Sequence, residues 1–132
     1  MSKAHPLVTL ETIVLVGIGG FAGSNLRYFV GQFVPGLQGT LLVNALGSFA
    51  LGFLLYEAIH VGIIGSETKM VATTGFLSSF TTYSTFAVET IQQTPALAVA
   101  NVVGSYALGF AGVLVARALV RRFDSQSRRR DA

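Results

Sequence analysis

Thr73-Thr74-Gly75-Phe76-Leu77-Ser78-Ser79-Phe80-Thr81-Thr82-Tyr83-Ser84-Thr85-Phe86 places nine hydroxyl side chains within 13 residues of an otherwise apolar segment. A regular helix facing lipid has no use for so many polar groups, because each needs a hydrogen-bond partner there. Broken helices at membrane depth are tolerated where the freed backbone is buried in protein or lines a cavity, and freed carbonyls bind cations. The run therefore predicts a membrane helix broken near its middle. The alternative is a continuous helix whose hydroxyls bond back to their own backbone. Tyr83 and Phe86, three apart, share a face beside the break, and the electropositive edges of such rings can lie against a small unhydrated anion.

The surrounding chain sets this run in lipid. Of 132 residues, 52% are hydrophobic and only 11% charged, against about 25% in a soluble protein. A bilayer core needs about 20 apolar residues per helix. Four segments meet that length, at about 12–34, 40–60, 70–91 and 96–120. The breaks between them carry their own signals: Pro35-Gly36, a charged Gly/Ser stretch from Gly62 to Lys69, and Thr94-Pro95 opening the fourth. The reading is one all-α membrane domain of four transmembrane helices over 1–132, ending in a basic tail at 121–132. Cysteine is absent, which excludes disulfides and thiolate chemistry.

An even number of spans puts both termini and the 62–69 loop on one side. Lys3, Lys69 and six arginines gather there, against Arg27 toward the other. The positive-inside rule places the termini in the cytoplasm of a plasma-membrane protein. The basic tail follows a long apolar helix, so it reads as an anchor beside anionic lipid headgroups rather than as a nucleic-acid site.

Polar residues inside the spans point to function. Thr40, Asn44 and Ser48 recur at i, i+4 and i+8 on one face of the second helix, and Asn101, Ser105 and Gly109 do so in the fourth. Stripes of neutral donors can hydrogen-bond a dehydrating anion without trapping it as a lysine would, and conduction needs such weak binding. Helix-to-helix hydrogen bonding alone is the competing role for Asn44 and Asn101. Arg27 and Glu89 reach similar depths, so the pair is expected to meet near the outer boundary; Arg27 free of Glu89 would form a positive vestibule.

Together these features resemble the Fluc (CrcB) family of fluoride-specific channels, through three motifs in order, one per span. They are Gly19-Gly20-Phe21-Ala22-Gly23-Ser24-Asn25-Leu26-Arg27-Tyr28, Gly39-Thr40-Leu41-Leu42-Val43-Asn44-Ala45-Leu46-Gly47-Ser48-Phe49 and Gly75 to Phe86. The resemblance implies an antiparallel dimer with two narrow pores and passive fluoride efflux that relieves toxicity. It puts Asn44, Tyr83 and Phe86 on the anion path, with Thr40, Ser84 and Ser105 as its polar lining. It also implies a structural, untransported Na+ at the dimer centre, held by backbone carbonyls that map to Ser78 and Thr81. Two positions depart from the family pattern: Ser78-Ser79 stands where Gly-Gly is usual, and Tyr83 where a phenylalanine is. A break needing φ above zero would disfavour serine there.

An antiparallel homodimer requires each chain to insert both ways, which the bias of eight basic residues to one resists. The expected partner is therefore either a second copy or an oppositely oriented paralogue. The rival reading is a small four-span cation/proton or multidrug antiporter, which needs a carboxylate at the midplane; Glu11 and Glu89 both lie near span ends. A non-conducting scaffold would not need the polar stripes. An enzyme would need a nucleophile–base or metal constellation, and His5 and His60 are isolated.

Overall fold

The computed structural model describes residues 6–130, with side chains through Gln126. Lys3, His5 and Asp131, and the side chains of Arg128, Arg129 and Arg130 in the basic tail, lie outside the described residues. Helix α1 (Pro6–Phe33) begins on proline and stops before Val34-Pro35, because proline pushes the residue before it out of the helical region. Gly36, at φ 69°, makes the corner into α2 (Leu37–His60). The next elements are α3 (Ser66–Met70), a π-helical segment (Val71–Leu77) and α4 (Ser78–Phe80), which follow one another without interruption. Thr81 is extended at φ −81°, ψ 163°. Helix α5 (Ser84–Ile91) then leads to α6 (Pro95–Arg130), which opens on proline, a residue suited to a first turn where its missing N–H is not needed. Among the described residues there is no strand.

Three helices are long and apolar enough to cross a membrane: α1, α2 and the part of α6 from Pro95 to Gln126. The expected third span, 70–91, is not a single helix and so does not count among them. The hydroxyl run explains this in both of its halves. In the first half Thr73 donates to the Lys69 carbonyl at 2.8 Å, Ser78 to that of Thr74, and Thr81 to that of Leu77 at 2.9 Å. Those hydroxyls bond back to the preceding turn, which satisfies them within their own helix and tends to bend it. In the second half the helix ends.

Helix α2 runs along α6, and α1 packs on the π-helical segment and α4. Two glycines set how closely they approach. A Cβ on Gly23 of α1 would lie 2.2 Å from the Phe76 carbonyl oxygen, and one on Gly47 of α2 would lie 2.1 Å from Thr81 Cγ2. Neither space admits a side chain, which is the close backbone approach that packing in lipid favours. By contrast a Cβ on Gly104 of α6 would meet open space. The buried apolar set is small, with Val43, Leu77, Phe80, Ala116 and Val120, whereas Phe21, Phe33 and Ile91 are 71%, 71% and 81% exposed. Apolar side chains on the outside of a single chain suit lipid or another chain as the solvent.

Candidate functional site

The site is built where α4 stops, at Thr81. The two bonds that stop it come from one neutral side chain on α2: the Thr82 N–H donates to Asn44 Oδ1 at 2.8 Å, and Asn44 Nδ2 donates to the Thr82 carbonyl at 2.8 Å. In a continuous helix that N–H would have gone to the Ser78 carbonyl, four residues back. One turn on, the Thr85 N–H, which would have gone to the Thr81 carbonyl, donates instead to Thr82 Oγ1 at 3.2 Å. The same hydroxyl donates to Thr85 Oγ1 at 3.0 Å and lies 3.4 Å from Ser84 Oγ. Two side chains, Asn44 and Thr82, thus release the carbonyls of Ser78 and Thr81 from the helix ladder.

The Thr81 carbonyl accepts from Arg27 Nη1 at 3.1 Å. This corrects the expected pairing of Arg27 with Glu89. The two residues line one cavity of about 180 Å³, together with Thr40, Thr82 and Thr85. They do not form an ion pair, and a buried oxygen of Glu89, Oε2, accepts no hydrogen bond. Arg27 follows the broken backbone because a released carbonyl in a dry setting is a strong acceptor.

Asn44, Ser48 and Tyr83 stand between two further cavities. One, of about 350 Å³, is lined by the aromatic residues Tyr83, Phe86, Tyr106 and Phe110 together with Asn44, Ser48 and Ser105, and has no charged side chain in its lining. Tyr83 and Phe86 lie 5.9 Å apart between ring centroids and are tilted by 44° to each other, so the two rings are not stacked face to face. The other cavity, of about 370 Å³, is bordered by Ser78, Thr81, Thr82 and Thr73.

The residues read from the sequence are therefore divided. Asn44, Tyr83, Phe86 and Ser105 meet around the aromatic cavity. Thr40 sits instead with Arg27 and Glu89, and Ser84 is exposed with its hydroxyl toward Thr82. Asn101 is buried and donates to Thr90 Oγ1 at 2.7 Å; Thr90 in turn donates to the Phe86 carbonyl at 2.6 Å. Ser105 Oγ reaches Asn101 Oδ1 at 3.4 Å. This relay ties α5 to α6, so Asn101 takes the helix-to-helix role. Tyr106, Phe110, Thr90 and the capping use of Thr82 were not singled out by sequence reading. Tyr106 and Phe110, at i and i+4 on α6, offered a spacing signal, but the same spacing marks any lipid-facing helix.

For a cation the donors are backbone oxygens. Among the described residues no group of three acidic, histidine or cysteine side chains could hold a metal. Neutral carbonyls released from a broken helix are the donor type that suits Na+ at membrane depth. Ser78 and Thr81 border one cavity, their carbonyls are of that donor type, and the Thr81 oxygen keeps a second lone pair beside the Arg27 bond. The serines at 78 and 79 present no backbone obstacle: Ser78 is helical at φ −63°, and among the described residues only glycines have positive φ.

Residues 14–117 match the family described as CrcB-like protein, Camphor Resistance (CrcB). The chain is 76% identical over 123 residues to a Haloarcula marismortui protein named fluoride-specific ion channel FluC 1, covering 93% of this chain and 96% of that one. It is 51% identical to a protein of the same name from Natronomonas pharaonis, covering 84% and 95%. It is 49% identical to fluoride-specific ion channel FluC 2 of Halobacterium salinarum, covering 85% and 88%.

Proposed function

The chain belongs to the CrcB family, and from that premise we propose that it is a fluoride-specific ion channel, not an enzyme, whose passive efflux lowers cytoplasmic fluoride. The observation that carries this reading is the aromatic cavity with neutral polar groups and no charge in its lining. A small anion leaving water needs hydrogen-bond donors that hold it weakly enough to let it go. Asn44 has one amide proton left after its bond to Thr82, and Ser48 adds a hydroxyl. Ser105 holds Asn101 only at 3.4 Å, a long bond that its hydroxyl can leave at small cost. The ring edges of Tyr83 and Phe86 complete a shell that neither a carboxylate nor an ammonium interrupts. An antiporter would place its exchanging carboxylate in such a cavity, which counts against that reading.

Residues 70–91 act in this proposal as the third, broken span, and two subunits pack antiparallel to enclose two pores. The released carbonyls of Ser78 and Thr81 hold a structural Na+ at the dimer centre, which neutralises their dipoles and is not transported. Arg27 and Glu89 line the approach to the path. Both termini face the cytoplasm, and the basic bias of the tail favours pairing with an oppositely oriented paralogue over a second copy. Relatives named FluC 2 and FluC 3 occur together in Methanosarcina barkeri, which is compatible with a pairing of two chains.

Liposomes loaded with fluoride and carrying the purified protein, alone or with its paralogue, test the proposal. A fluoride electrode should record efflux that persists at equal rate in a large excess of chloride. Absence of efflux in both compositions would overturn it.

A further inference from the structure

We propose that Asn44 is a positioning residue for the cation site as well as a group on the anion path, so that the two sites are coupled through the backbone of Thr82. The inference rests on the proposed Na+ site and adds what makes that site available. A helix carbonyl is free to bind a cation only if its own N–H partner is taken elsewhere. Here the partner of the Ser78 carbonyl is held by Asn44 Oδ1 at 2.8 Å, and the partner of the Thr81 carbonyl by Thr82 Oγ1 at 3.2 Å. Asn44 also borders both the aromatic cavity and the cavity at Ser78 and Thr81, and the second bond, from its Nδ2 to the Thr82 carbonyl, fixes the amide in the orientation that keeps Oδ1 on the N–H. Removing Oδ1 returns the Thr82 N–H to the Ser78 carbonyl, and removing Oγ1 returns the Thr85 N–H to that of Thr81. Either change withdraws a cation donor without touching the donor residue.

The linkage of ligand binding to stability gives a readout independent of conduction. The thermal midpoint of the protein in detergent, purified alone and with its paralogue, is measured as Na+ replaces N-methyl-D-glucamine at constant chloride and ionic strength. Wild type should show a saturable rise. Asn44→Leu and Thr82→Val should each raise the half-saturating Na+ concentration at least about tenfold, since losing one good donor is worth about one such factor. Asn44→Asp, which keeps an acceptor for the Thr82 N–H, and Thr82→Ser, which keeps the hydroxyl, should stay at or below the wild-type value. A merely structural role would lower the midpoint in all four without moving the half-saturation point. If Asn44→Leu does not fold, Thr82→Val, a change of near-equal volume, decides alone. A wild-type rise with unchanged half-saturation in Asn44→Leu and Thr82→Val overturns the coupling and leaves the Na+ site standing. No rise in wild type, whether alone or paired with its paralogue, overturns both, while fluoride efflux in liposomes still judges the channel separately.

Discussion

Two places in this molecule tie down backbone that has left its hydrogen-bond ladder, and they do it with opposite chemistry. At the end of α2, Glu57 Oε1 accepts the N–H groups of Ile63 and Ile64 at 2.6 and 2.8 Å, and its other oxygen is paired with Lys69 Nζ at 3.0 Å. At the break, Asn44 accepts one N–H and donates to one carbonyl of the same residue, Thr82. A carboxylate binds N–H groups more strongly than an amide does, but it brings a charge that needs a counter-ion, which Lys69 supplies beside the connecting loop. Inside the membrane a charge would be costly and would repel an anion. The neutral amide closes both backbone groups at zero net charge, and the cavity next to it stays free of charged side chains.

Exchanging or removing the parts of these two clamps sharpens the contrast. The largest effect is expected from Gly47→Leu, whose Cβ would meet Thr81 Cγ2 at 2.1 Å. Separating α2 from the break pulls Asn44 off Thr82, and size-exclusion chromatography should recover no monodisperse protein. Asn44→Leu comes next. It removes two bonds of a kind worth about 0.6–1.7 kcal/mol each inside membranes, so thermal unfolding in detergent should show a loss of about 1–3 kcal/mol. A wild-type midpoint would mean that the clamp does not hold the break. Glu57→Gln should cost less than Asn44→Leu in the same scan, because the amide oxygen still accepts both N–H groups and only the ion pair to Lys69 is lost; the double variant with Lys69→Met should recover part of that loss. The smallest effect belongs to Tyr83→Phe, which keeps the ring edge beside Phe86. Fluoride efflux should change by less than about twofold, the size expected when no charged or buried hydrogen bond is lost.

The limits of the helices were legible because proline and glycine mark them: Pro35-Gly36 and Thr94-Pro95 fall where α1 ends and α6 begins. The break was legible too, since nine hydroxyls in 13 residues have no place in a lipid-facing helix. Its mechanism was not. A spacing argument cannot see that Thr73, Ser78 and Thr81 bond back to their own helix while Thr82 caps the next one. The same limit explains Arg27. Counting residues placed it at the depth of Glu89, but a depth count has no term for the carbonyl that a broken helix releases at Thr81. The π-helical widening over Val71–Leu77 has no signature in its sequence. Asn44 was found by its stripe with Thr40 and Ser48, although Thr40 lies in a different cavity: one helical face passes two cavities in turn.

The central claim is that a neutral clamp beside a charge-free aromatic cavity makes a path for fluoride. Its most direct test is fluoride efflux from liposomes measured in parallel for wild type, Asn44→Leu and Glu57→Gln at matched protein density, in whichever composition, alone or with the paralogue, the wild type conducts. The account predicts fluoride-selective efflux in wild type, a loss of at least about tenfold in Asn44→Leu, the factor that about 1.4 kcal/mol represents, and a rate close to wild type in Glu57→Gln. Efflux that survives in Asn44→Leu and disappears in Glu57→Gln would contradict it.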